Sequence, residues 1–131
     1  MENKIVVHMK GGAIHKGITH DFDPRAASFY LLPAEGGGVP RRIELEQMKA
    51  LFYVKDYVGN RDYVARHQFD EAKGPGRKAI VVFSDGEEVW GSVGEERDNG
   101  AGFFFFPADP QDNNLRIFVV RSSLKELRLL S

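Results

Sequence analysis

The chain repeats itself. Four consecutive phenylalanines, Phe103 to Phe106, stand 74 residues (103 − 29) after Phe29-Tyr30-Leu31-Leu32, and both runs close on Pro-Ala-acid, as Pro33-Ala34-Glu35 and Pro107-Ala108-Asp109. Sliding the sequence by that interval superimposes Lys4–Ile43 on Lys78–Ile117 without a gap. Ten of those 40 positions are identical, among them Gly12/Gly86, Gly17/Gly91, Phe29/Phe103, Arg42/Arg116 and Ile43/Ile117. A two-residue shift beyond that point aligns Met48–Leu51 with Leu124–Leu127. An internal repeat of this length constrains the fold more than any propensity, because whatever one copy forms the other must also be able to form.

Each copy reads as short strands punctuated by turns. In the second, the β-branched run Lys78–Phe83 meets Ser84-Asp85-Gly86, a hairpin signal, and returns as Glu87–Val93. The first has the same plan in Lys4–Met9, Lys10-Gly11-Gly12 and Ala13–Thr19. Gly17 and Gly91 fall inside the returning strand, where glycine marks a bulge or a sharp bend. Roughly five strands in about 50 residues is the size of a small SH3-like or Sm-like barrel. The expected fold is all-β with little helix: a first barrel unit over residues 1–54, a packed linker over 55–77 and a second barrel unit over 78–131. In the linker Tyr57, Tyr63 and Phe69 are too many aromatics for an idle tether; its first half is expected to extend the strand Ala50–Val54 and its middle to pack on a barrel.

The phenylalanine run is apolar on both faces, since Phe103 and Phe105 point one way and Phe104 and Phe106 the other. A barrel strand needs only one apolar face. The outward residues Tyr30, Leu32, Phe104 and Phe106 therefore need a cover, either the other barrel and the linker aromatics or another protein surface, a partner or a second copy in a homodimer.

Composition removes several functions. There is no cysteine, hence no disulfide, thiolate nucleophile or zinc-thiolate site. Eighteen basic residues against 19 acidic give a net charge of −1, with no global field toward nucleic acid or an anionic membrane. No apolar run approaches the ~20 residues of a membrane-spanning helix, and the N-terminus carries no signal-peptide core, so the expected location is cytoplasmic. His8, His15 and His20 lie near Asp21 and Asp23, but their counterparts in the second copy are Val82, Val89 and Gly94, and their spacing matches no ligand pattern; His67 stands alone. Glu87-Glu88 and Glu95-Glu96 read as solvated strand edges rather than a catalytic acid pair. Ser92 lacks a nucleophile-elbow context, and Gly74–Lys78 lacks the spacing of a phosphate-binding loop. The reading is noncatalytic, with no metal and no cofactor: a protein-binding or adaptor module.

The alternative is a nucleic-acid or nucleotide-binding module, since small barrels hold single strands with basic loops and aromatics. Its candidate contacts are Lys10, Lys16, Arg41 and Arg42. An acidic second copy argues against it, with six basic and nine acidic residues over 78–131. Arg97–Phe104 echoes the turn of the cyclic-dinucleotide-binding PilZ barrels but lacks their serine and their upstream arginine pair.

Two resemblances complete the reading. Val81–Val93, an apolar strand, an Asp-Gly turn and a glycine five residues on, is similar to the opening strand pair of Sm-like barrels, without that family's RNA-contacting Asp-x-x-x-Asn loop. Met48–Tyr63, His20–Glu35 and Phe118–Leu130 together resemble a family of uncharacterised bacterial proteins, a domain of unknown function, in which a Leu-Lys-Ala-x-Phe-Phe-Val-Lys segment and an Asp-Phe-x-Pro turn recur. That resemblance implies a bacterial origin and the architecture above, and assigns no residue a role.

Overall fold

The structure is a computed structural model that describes residues 3–34, 38–58, 76–94, 100–109 and 112–130. Tyr63, His67 and Phe69 of the linker, the acidic pair Glu95-Glu96 and the turn residues Arg97–Asn99 lie outside the described residues.

Ten strands follow in chain order: β1 (Ile5–Met9), β2 (Ile14–Ile18), β3 (Ser28–Pro33), β4 (Arg41–Glu44), β5 (Met48–Val54), β6 (Arg77–Phe83), β7 (Glu88–Val93), β8 (Gly102–Pro107), β9 (Asn114–Val120) and β10 (Leu124–Leu129). Among the described residues the only helical pieces are two 3-10 turns, Leu45–Gln47 and Arg121–Ser123, each delivering the chain into the strand after it. All pairings are antiparallel. The spatial order is β10-β6-β7-β8-β9-β5-β1-β2-β3-β4. Within it the first five strands run 5-1-2-3-4 and the last five run 10-6-7-8-9, the same path taken twice.

The local causes are the glycines flagged above. Gly12 and Gly86 turn the β1–β2 and β6–β7 hairpins at φ +99° and +95°, a region that side-chain-bearing residues rarely enter. A Cβ at Gly17 would collide with the Leu32 carbonyl oxygen, and one at Gly91 with that of Phe106, so glycine lets β2 and β7 cross close over β3 and β8.

Hydrogen bonding does not close either half into a separate barrel. One open sheet runs through both, because β5 pairs with β9 instead of with its own half's β4. The reason is visible in the side chains. Ala50, Phe52 and Val54 on one face of β5, with Val6 of β1, join the apolar cluster of the C-terminal half, formed by Ala79, Val81, Phe83, Val93, Phe103, Phe105, Ile117 and Val119. In return, Phe118 and Val120 of β9 join the N-terminal cluster of Ile5, Val7, Phe29, Leu31, Ile43, Leu45, Met48, Leu51 and Tyr53. Each central strand is apolar front and back because each face lines a different core. Burial of a large apolar side chain is worth ~1.5–3 kcal/mol, so this exchange outweighs anything a solvent-facing β5 edge could offer.

This settles part of the phenylalanine question. Phe103 and Phe105 are fully buried in the C-terminal cluster, while Phe104 packs against the N-terminal one, edge-on to Phe118 at a centroid distance of 5.2 Å. Phe106 is half-buried. The outward faces of the two repeated strands do not clasp one another: Tyr30, in the place of Phe104, is 51% exposed. The linker is also corrected at its start, for β5 ends at Val54 and does not continue. Tyr57 instead folds back onto the C-terminal cluster, and its hydroxyl donates to the Gly17 carbonyl at 3.0 Å.

Candidate functional site

Strand alternation sets the N-terminal half's inner face. In register, Val7 lies opposite His15, and Leu31 opposite Arg41. These positions share the face of the buried Ile5, Phe29 and Ile43, but they sit where the strands run out toward solvent. His15 and Arg41 thus line the rim of the N-terminal core. The β1–β2 turn brings Lys10 to the same rim, where its ammonium donates to the Glu46 carbonyl at 2.7 Å and to Ser122 Oγ at 2.6 Å.

The result is a groove of about 520 Å³ bounded by Met9–Gly11, Ala13, His15, Arg41–Ile43, Glu46 and Gln47. His15 and Arg41 also border a smaller neighbouring groove of about 280 Å³ that includes Lys16 and Leu31. Three of the four basic residues singled out in the sequence, Lys10, Arg41 and Arg42, therefore line one groove, and Lys16 lies next door. Lys16 is held there by its bond to the Tyr57 carbonyl at 2.9 Å. Arg42 pairs along its strand with Glu44 at 3.2 Å, an exposed pair of little energetic weight. Among the described residues Arg41 carries no ion pair, and burial together with the nearby Arg41 charge pushes the His15 imidazole below its ordinary range. The cations of the groove are Lys10, Arg41 and Arg42, and Glu46 stands at its border.

The groove at the matching hairpin of the C-terminal half is smaller, about 310 Å³, and is bordered by Lys10, Lys49, Phe83–Asp85, Ser122 and Ser123. Val89 and Leu115 stand where His15 and Arg41 stand, and Ser84 replaces Lys10. Arg116, the counterpart of Arg42, is spent internally, its guanidinium 4.2 Å from the Tyr53 ring centroid and 4.9 Å from that of Phe104.

Of the proposed apolar surface, Phe104 belongs to this internal stack, whereas Tyr30 and the half-buried Leu32 remain on the outer face of β3. Histidines and acids do not gather: among the described residues no three His, Asp or Glu side chains come close enough to hold a metal ion. His8 stacks on Phe52 at 4.6 Å, and Ser92 Oγ is buried without a hydrogen-bond partner, so it has no base beside it.

One polar feature escaped the sequence reading. Lys49 Nζ lies 2.6 Å from both Asp85 Oδ2 and Glu87 Oε1, tying β5 to the β6–β7 hairpin across the junction, and the Ser123 hydroxyl donates to the Lys49 carbonyl at 2.7 Å. The signal was the pair of acids flanking Gly86, but their partner is 36 and 38 residues away and not legible from spacing.

No helix among the described residues is long and apolar enough to cross a membrane. The chain belongs to a family described as a family of unknown function, DUF6982, whose pattern it matches over residues 1–131. No curated protein and no solved structure matches the chain.

Proposed function

We propose that the protein is a noncatalytic binding module, a tandem pair of small SH3-like or Sm-like units over residues 1–54 and 78–131, and that it takes an anionic ligand in the groove of its first unit. The twice-repeated strand path supports the tandem reading, as do the matched hairpin glycines and the matched close approaches at Gly17 and Gly91. The observation that carries the functional reading is the convergence of Lys10, Arg41 and Arg42 on one groove at the rim of the N-terminal core. Both cores are filled with apolar side chains, which leaves binding to rims and edges.

Division of labour follows from the differences between the copies. The C-terminal unit presents Val89 and Leu115 at the corresponding rim and braces the first through the β5–β9 junction; the N-terminal unit keeps the cations. A nucleic-acid ligand is the second reading, favoured by the same cations and opposed by the acidic balance of the second copy, six basic against nine acidic residues over 78–131.

Amide-resolved NMR titration with hexaglutamate and, separately, a short oligo(dT) tests the reading. Shifts concentrated at Lys10, His15, Arg41 and Arg42 are expected with an anionic probe and not with hexalysine. Absence of shifts with both anionic probes overturns it.

A further inference from the structure

We infer that the groove's ligand is an extended acidic segment of a partner protein that adds to the sheet as an antiparallel strand along β4; this rests on the binding reading above and goes beyond it by naming the partner's chemistry and mode.

Among the described residues strand β4 is terminal in the sheet and pairs only with β3. The Leu45 amide donates to the Ala27 carbonyl at 3.0 Å, so Ala27/Leu45 is a hydrogen-bonded pair, and alternation makes Phe29/Ile43 and Leu31/Arg41 the next ones. The N–H and C=O groups of Arg42 and Glu44 consequently point away from β3, along the open edge. Seventy-four residues on, Arg116 and Phe118 hold the matching places in β9, and there the edge is taken: they face Tyr53 and Leu51 of β5. The molecule thus contains a worked instance of what this edge accepts, an antiparallel strand.

The chemistry of the β4 occupant follows from its two faces. Toward the groove it meets Arg41, with Lys10 and His15 nearby, which calls for carboxylates. Toward the outer face it meets Arg42 and Glu44, which are paired with each other, and beyond them on β3 Tyr30, half exposed where Phe104 is covered, over which an apolar side chain can lie. An alternation of acidic and apolar residues, period two, satisfies both.

The β10 edge of a second copy fits poorly: transferring the β5–β9 register (shift 124 − 48 = 76 for β10 and 117 − 43 = 74 for β4) sets Glu126 beside Leu45, Arg128 beside Ile43 and Leu127 beside Glu44. The exposed Glu126–Arg128 pair would be pressed against apolar neighbours where Ala50 and Phe52 sit in the internal junction. These charges guard the edge against self-assembly.

The test uses the full chain and an alternating Glu-Val octapeptide, a version N-methylated at alternate amides so that charge is kept and ladder bonds are lost, and oligo(dT) of matched charge. We expect the plain peptide to bind with NMR shifts centred on residues 41–44. Binding should weaken by about tenfold or more on N-methylation and in the exposed-site variant Arg41→Glu, as removal of charge-assisted and ladder hydrogen bonds predicts. Equal binding of plain and N-methylated peptide overturns strand addition while leaving an anion-binding groove intact; binding of no anionic probe removes both. Oligo(dT) binding more tightly than the peptide assigns the groove to nucleic acid, and a dimer in light scattering that Arg128→Ala dissolves assigns the edge to a second copy.

Discussion

Strands β9 and β4 hold the same place in their halves of the sheet, yet β9 has a neighbouring strand on both sides and β4, among the described residues, on one. Ile117 and Ile43 are both buried against their own cores. The next position differs: Phe118 is fully buried in the opposite core, and Glu44 is exposed. Two residues on from there, Val120 is buried where Glu46 is exposed. A strand whose second face is apolar recruits a neighbour, and one whose second face is charged stays at the rim. Conversely β5 carries Ala50 and Phe52 where β10 carries Glu126 and Arg128, so each end of the sheet stops for the same reason.

That contrast is most severely tested at Phe118. Phe118→Asp, which puts the repeat's acidic choice into the covered strand, should cost about 4 kcal/mol or more and leave the protein largely unfolded, whereas Glu44→Asp should move a denaturation midpoint hardly at all. Comparable losses at both sites would mean that β4 is covered after all.

Phe104→Asp comes next. The ring packs on Phe118 and Tyr53 under Arg116, so the variant should lose roughly 2–3 kcal/mol in chemical denaturation without changing its oligomeric state, while Tyr30→Asp stays within about 0.5 kcal/mol. A change in light-scattering mass for Phe104→Asp would return that ring to an intermolecular surface.

Two smaller effects depend on pH. Burial, with the Lys49 charge, lowers the pKa of His8 below its ordinary 6.5. The unfolded chain therefore takes up the proton first, and stability present above pH 6.5 should decline as pH falls below it. His8→Gln should flatten that slope in thermal melts. Hydrogen bonding to Lys49 lowers the pKa of Asp85 below 3.8, while Lys49, although desolvated, is raised by its bonds to Asp85 and Glu87. For Asp85 the sign is that of a paired carboxylate: stability is in place above the ordinary aspartate range and is lost as pH falls through its depressed value. Asp85→Asn should remove only a small part of the acid sensitivity, because the carboxylate is largely exposed.

The smallest effect on stability is expected for His15→Ala, which should unfold with the wild-type midpoint and alter only ligand affinity. Loss of folding would make His15 a core residue and not a rim residue.

Much of the fold was legible. The hairpins at Gly12 and Gly86 and the strand content follow from turn chemistry and period-two alternation, whereas Gly17 and Gly91, read as bends, mark close approaches to the Leu32 and Phe106 carbonyls. The double-sided apolarity of Phe103–Phe106 announced that a second face needed a cover. What covered it was not legible, since Phe118, Tyr53 and Arg116 reach Phe104 from segments whose sequence distance carries no pairing information. The candidate site was half legible for the same reason. Lys10, Arg41 and Arg42 were noticed as basic residues near turns, but only the β1–β2 turn and the β3–β4 pairing bring them to one rim. His15, set aside as an ordinary strand histidine, lines the groove because alternation points it to the inner face.

Composition and local pattern determined that this chain is cysteine-free and all-β, because hydrogen bonding and side-chain alternation act over a few residues and leave their mark in the spacing. Tertiary structure alone decided that β5 would pair with β9, that the two cores would each borrow a face from the other half, and that β4 would keep, among the described residues, one open edge beside Lys10, Arg41 and Arg42. Those outcomes depend on which apolar faces meet in space, and contact energy between distant segments has no signature in either segment taken alone.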